Sequence, residues 1–244
     1  VSLTASLLAV GALPLAADEL AEADPRPERI LFIGNSHTER HGGMDWLVGT
    51  IARASEPDAA YQADARTAKG VTLEHHVRNG APEAIRSRDY DTVVLQGYIP
   101  GSPTRTTAEF VEYAGRLGEE VQRAGARPVL YMTWPQVRRG WADLDDIVSA
   151  HREVAATLDA DVAPVAIAFD LAMQERPELV LIGDDGIHAT WEGAYLAAVT
   201  LYATIFGRDP VGLEYSFGVG ADDAAFLQEM AARAIEAWEA DATA

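Results

Sequence analysis

Short, uninterrupted apolar runs recur along this chain, and each is followed by a stretch with helical spacing. Ile30-Leu31-Phe32-Ile33 ends at Gly34. Thr92-Val93-Val94-Leu95-Gln96 ends at Gly97, and Pro128-Val129-Leu130-Tyr131-Met132-Thr133 precedes Trp134. Runs of this length without alternation suit strands that are buried on both faces. Tyr61–Ala65 and Val162–Ala168 are further strand candidates. Between them lie helical patterns at Met44–Ala54, Val71–Asn79, Pro82–Arg86, Thr107–Ala124, Asp143–Leu158, Thr190–Phe206 and Asp222–Ala240. Strands that alternate with helices predict an α/β fold, with a mainly parallel sheet of about five strands and helices on both faces. In open sheets of this kind, ligands bind beyond the carboxyl ends of the strands. The segments after Ile33, Gln96, Thr133 and Ala168 are therefore where chemistry is expected.

Composition narrows the function classes. Nineteen Lys and Arg against 38 Asp and Glu give a formal charge of −19, which disfavours nucleic acid and anionic lipid as partners. With no cysteine, disulfides, thiolate catalysis and Cys-ligated zinc are excluded. Apolar residues make up 48% of the 244, enough for a real core. Residues 29–244 are expected to form one domain. Val1–Ala17 is apolar but too short to span a bilayer, so no stable membrane insertion is expected. It ends in Leu15-Ala16-Ala17, like the hydrophobic and cleavage regions of a secretory signal that lacks its basic start. Residues 1–28 are thus read as a signal-like segment and linker. This predicts a secreted or periplasmic location, with a packed N-terminal helix and a cytoplasmic location as the alternative.

Two segments carry the residue types of nucleophilic catalysis. After the first strand comes Gly34-Asn35-Ser36-His37-Thr38. A serine on a tight turn at a strand end can act as nucleophile if a base and oxyanion donors are nearby. Helix capping by Ser36 or Thr38 is the structural alternative. Much later comes Gly183-Asp184-Asp185-Gly186-Ile187-His188. An acid three residues before a histidine can accept its Nδ1 proton and leave Nε2 as the base, with Asp184 a rival to Asp185. Metal binding by His37, His41, His75, His76 and Asp184 matches no recognisable ligand spacing. No metal or cofactor is expected.

Together these segments resemble the SGNH (GDSL-type) hydrolase superfamily, in which a Gly-Asp-Ser-like block follows the first strand and an Asp-x-x-His block precedes the last helix. The likeness is to a divergent branch with a Gly-Asn-Ser-x-Thr first block. It runs from Ile30 to about Phe206, and Thr92–Gln96 and Tyr131-Met132-Thr133-Trp134 also fit that branch. The resemblance implies a three-layer α/β/α flavodoxin-like sandwich and a serine esterase acting on a small acyl ester, with a small molecule or an acylated glycan as substrate. It implies Ser36 as nucleophile, His188 as base and Asp185 as its orienting acid. It implies an oxyanion hole from the N–H groups of Ser36 and Gly70, and an Asn side chain. The family's Gly-x-Asn-Asp block is absent after the third strand, and Gln96 stands in its place. Its amide is expected to donate to the oxyanion, or else to bond the loop Gly97–Pro103. Tyr98, Ser102 and Trp134 are candidate substrate-pocket walls, with simple packing the alternative for Trp134. Two other classes remain open: a carbohydrate-binding module on a decayed hydrolase fold, and a nucleotide or phosphate binder. The first turn lacks the Gly-rich loop that the latter requires.

Overall fold

The computed structural model describes residues 28–57, 60–97, 107–136 and 142–242. Residues 1–27, and with them nearly all of the signal-like segment and linker, lie outside the described residues, as do Tyr98 and Ser102. Glu28, expected to end the linker, is the first residue of a strand.

Five strands form one parallel sheet: β1 (Glu28–Gly34), β2 (Tyr61–Thr67), β3 (Thr92–Leu95), β4 (Arg127–Tyr131) and β5 (Asp161–Ala163), in the order β2-β1-β3-β4-β5. Side chains alternate across a strand, and here the alternation divides two cores. Ile30, Phe32, Val94, Val129, Tyr131 and Ala163 face one layer. Leu31, Ile33, Val93, Leu95, Leu130, Met132 and Val162 face the other. The described helices are α1 (Ser36–Glu39), α2 (Met44–Ser55), α3 (Leu73–Arg78), α4 (Ala81–Arg86), α5 (Thr107–Arg123), α6 (Leu144–Leu158), α7 (Val165–Glu175), α8 (Trp191–Phe206) and α9 (Ala221–Ala242). The first core takes α2, α7, α8 and α9, and the second takes α3 to α6. The result is the α/β/α sandwich with a five-stranded sheet that the alternation of apolar runs predicts.

Local sequence sets the helix ends. Thr190 accepts the Gly193 N–H to start α8, and Gly207 ends it at φ 61°. Asp143 accepts the Asp146 N–H to start α6. Helix α8 is buried on nearly every side, as its almost wholly apolar sequence requires. Among the described residues no helix is long and apolar enough to cross a membrane.

One strand expectation is corrected. Val162–Ala168 is not one strand, because β5 stops at Ala163 and α7 begins at Val165. Pro164 has no N–H for the ladder, and a short apolar run does not by its pattern distinguish a strand from a buried helix. The segment after Ala168 is therefore the body of α7, not a strand-end loop.

Candidate active site

Neighbouring strands β1 and β3 leave the sheet in opposite directions of chain order, since β2 lies to one side and β4 and β5 to the other. Such a switch point opens a crevice at the carboxyl ends of the two strands. Ser36 follows β1 and Gln96 follows β3, with Ile33 paired to Leu95. Asn35 caps the short helix α1: its side-chain oxygen accepts the His37 N–H at 3.1 Å. Its carbonyl accepts the Thr38 and Glu39 N–H groups, each at 3.0 Å. Its Nδ2 donates to the Val71 carbonyl at 3.1 Å, tying the turn to the loop that carries Gly70. Asn35, rather than Ser36 or Thr38, is thus the cap. Ser36 is left partly exposed while its neighbours Asn35, His37 and Thr38 are buried.

Gln96 does not stand as the sequence suggests. Its Oε1 accepts the Asn35 backbone N–H at 2.9 Å and the Thr38 hydroxyl at 3.0 Å. A backbone N–H can only donate, so oxygen must be the atom facing it. The amide nitrogen is left to the Gly97 carbonyl at 3.3 Å, and the residue is 1% exposed. The contacts therefore make Gln96 a buried clamp on the serine turn, closer to the alternative of bonding its own loop. Gly34 makes room for the clamp. A Cβ there would lie 2.2 Å from Thr38 Oγ1 and 2.7 Å from Gln96 Oε1. His76 is also part of this support. It is buried, and its Nε2 donates to the Gly34 carbonyl at 2.8 Å. Burial lowers its pKa.

The second half of the site is the loop between Ile182 and Ala189, which form an antiparallel bridge. Asp185 folds back on this loop: Oδ1 accepts the N–H groups of Ile187 and His188, each at 2.9 Å. Its Oδ2 meets His188 Nδ1 at 2.7 Å. His188 Nε2 then lies 2.9 Å from Ser36 Oγ, across 152 residues of chain. With Nδ1–H donating to the carboxylate, the Nε2 lone pair faces the hydroxyl. The His188 ring hydrogen bond, followed by the His188 backbone N–H, holds the Asp185 carboxyl well below the usual carboxylate range. Asp184, the rival acid, is exposed on the same loop, and it is Asp185 that meets the histidine.

Residues with no role in the motif brace this loop. Trp134 is 3% exposed and stacks on Phe169, with ring centroids 4.2 Å apart. Its indole N–H donates to the Ile187 carbonyl at 2.9 Å. It is buried against the loop that carries His188, so packing rather than a pocket wall describes it. His41 Nε2 donates to the Ala189 carbonyl at 3.0 Å. Arg40 reaches Asp185 Oδ2 at 3.4 Å, both side chains being about half exposed, so the pair contributes little. His37 is buried edge-on against Trp134 at 4.9 Å, with its ring 5.5 Å from that of His188. Its Nε2 accepts from the Gln136 amide at 3.0 Å. Burial, and then the neighbouring His188, push its pKa down to about 3. It stays neutral near pH 7 and adds no charge beside the His188 ring. The roles of His41, Gln136 and Arg40 carry no local sequence signal, because their partners are distant in the chain. Among the described residues no group of three His, Asp or Glu is placed to hold a metal ion.

Gly70 has φ 69° and open space where a Cβ would stand. A glycine is needed there for backbone conformation, not for room. The structure brings Ser36, His188 and Asp185 into one relay. Its contacts turn Gln96 and Trp134 into supports beneath that relay.

The chain shares its fold with several solved structures. It superposes on a DUF4886 family protein from Bacteroides uniformis ATCC 8492 with a TM-score of 0.66 at 17% identity, over 86% of this chain and 95% of that one. An acetylxylan esterase from Geobacillus stearothermophilus matches with a TM-score of 0.59 at 15% identity, over 74% of this chain and 93% of that one. A lipase/acylhydrolase from Enterococcus faecalis matches with a TM-score of 0.59 at 20% identity, over 74% and 96%. No protein-family model and no curated protein matches the chain.

Proposed function

We propose that this protein is a serine ester hydrolase of the SGNH (GDSL-type) class that removes a small acyl group, such as acetyl, from an alcohol. The observation that carries this reading is the unbroken relay from Asp185 Oδ2 through His188 to Ser36 Oγ, at 2.7 and 2.9 Å. It stands at the switch point where α/β sheets of this order bind ligands. Proteins named as an acetylxylan esterase and a lipase/acylhydrolase share the fold, which supports ester chemistry.

Ser36 Oγ attacks the acyl carbonyl as His188 Nε2 takes its proton. Asp185 holds the imidazole in the required tautomer and stabilises the imidazolium. The N–H groups of Ser36 and Gly70 receive the oxyanion. Collapse expels the alcohol, which takes the proton from His188. Water then attacks the acyl-enzyme with His188 again as base, releasing the acid and Ser36. Neutral His37 matters here, since a second positive ring 5.5 Å away would oppose formation of the imidazolium.

The test is hydrolysis of p-nitrophenyl acetate by the wild type and by Ser36→Ala. The expected loss is roughly 10⁴-fold or more in kcat. Retention of most of the wild-type rate would sink the assignment. A non-catalytic carbohydrate-binding role on the same fold is the other reading. The intact Ser36–His188–Asp185 geometry opposes it.

A further inference from the structure

The loop joining α8 to α9, residues 207–220, carries Glu214, Tyr215, Ser216 and Phe217. Phe217 adopts φ 55°, a left-handed conformation that a bulky residue holds only where its surroundings enforce it. Four rings enforce it. Its centroid lies 4.8 Å from Tyr215, 5.3 Å from Trp46, 6.1 Å from Trp191 and 6.4 Å from Tyr195. The Trp191 indole N–H donates to the Phe217 carbonyl at 2.9 Å and fixes the loop to the start of α8. The arrangement frames a cleft of about 380 Å³ lined by Trp46, Trp191, Glu214, Tyr215, Ser216 and Phe217. Trp46 and Tyr215 are each 43% exposed, although aromatic neighbours are close by.

This cleft adjoins the catalytic loop. Trp191 follows His188 by three residues, so their Cα atoms are at most about 11 Å apart. His41 joins the two places: its ring lies 5.0 Å from Trp191 while its Nε2 holds the Ala189 carbonyl.

We infer that the cleft is a subsite for the alcohol part of the substrate, and that this part is a neutral oligosaccharide. The inference rests on the esterase reading and names the substrate class for the same site. Half-exposed aromatic rings offer flat apolar faces, which suit the C–H faces of pyranose rings. The Glu214 carboxylate and Ser216 stand on the rim, where hydroxyl groups need polar partners. A long acyl chain calls for enclosed apolar walls, and this cleft is open with an acidic rim. An anionic alcohol is disfavoured by Glu214 and by a chain charge of −19.

The experiment compares wild type, Trp46→Ala and Tyr215→Ala on three esters. These are p-nitrophenyl acetate, p-nitrophenyl octanoate and partially acetylated neutral β-1,4-linked tetrasaccharides of xylose, mannose and glucose. For at least one tetrasaccharide, the ratio of its kcat/KM to that for p-nitrophenyl acetate should fall at least fivefold in each variant, chiefly through KM. Parallel losses on all esters, or no change in the ratio, overturn the subsite. A selective loss on the octanoate makes the cleft an acyl site and also overturns it. If the wild type cleaves none of the esters, the esterase reading fails separately. Tryptophan fluorescence titration with the unacetylated tetrasaccharides then decides. A saturable change that Trp46→Ala abolishes supports the subsite, and no saturable change overturns it.

Discussion

Replacing Gln96 by alanine separates two ways in which this residue can serve the site. In the structure, one buried oxygen accepts both the Asn35 N–H and the Thr38 hydroxyl. Its loss strands two buried donors, at about 1–3 kcal/mol each, or roughly 2–6 kcal/mol together. For a domain of this size, each kcal/mol lowers Tm by about 2–4 °C, so the lower bound alone predicts a fall of about 4 °C or more. The same change releases the turn that aims Ser36. A misplacement of about 1 Å costs on the order of 10²-fold in rate. Gln96→Ala should therefore lose stability and kcat together. Thr38→Val keeps the shape of the side chain and removes one of the two hydrogen bonds. It leaves the Gln96 amide in place, yet it should move both quantities in the same direction by a smaller amount. Thermal melts and p-nitrophenyl acetate kinetics on Gln96→Ala, Thr38→Val and the double variant measure this, with non-additive losses expected because both changes strike one acceptor. An oxyanion donor would behave otherwise. Its removal would cost roughly 2.7–4 kcal/mol in transition-state stabilisation with stability kept. Full thermal stability with a large kcat loss in Gln96→Ala would refute the clamp.

Other outcomes follow from the same contacts. Gly34→Ala should lower kcat at least about tenfold, because its Cβ would meet Thr38 Oγ1 at 2.2 Å and push the clamp away; wild-type kinetics would contradict the packing. Asp185→Asn should reduce kcat about 10⁴-fold by favouring the wrong His188 tautomer, read as kcat on p-nitrophenyl acetate. Trp134→Phe removes the N–H that holds the Ile187 carbonyl and should slow turnover about tenfold with KM little changed. Acid should destabilise the fold through buried histidines. Burial holds His37 at about 3 and His151 at about 4, so the unfolded chain binds protons that the native state refuses. Stability is then fully present above pH 6.5 and lost as pH falls from there toward about 4 for His151 and about 3 for His37. Replacing His151 by leucine should flatten the fall in Tm over that window, and an unchanged slope would remove His151 from the account.

Strands, and the side chains that meet in the Ser36–His188–Asp185 relay, were legible in the sequence where the signal is local. Ile30–Ile33 and Thr92–Gln96 are continuous apolar runs, and burial on both faces is what such runs require. Ser36, Asp185 and His188 sit in two short turns, and it is the pairing of the two that carries the family resemblance. Roles that depend on distant partners were not legible. The side chain of Gln96 points at Asn35 because β1 pairs with β3 in one register, which no property of either strand alone specifies. Trp134 is covered by Phe169, and Phe169 lies in a helix directly after a segment that reads as a strand. His41 matters through a carbonyl 148 residues away. The aromatic cleft unites rings from α2, the start of α8 and a loop before α9, so it exists only after folding.

The central claim is that Ser36 is a nucleophile activated by His188. Intact-mass analysis after exposure to a fluorophosphonate tests it most directly, because only an activated serine reacts quickly. The account predicts one stoichiometric adduct mapped to Ser36, abolished in Ser36→Ala and strongly slowed in His188→Ala. An unmodified wild-type protein, or an adduct on another residue that persists in Ser36→Ala, would contradict it.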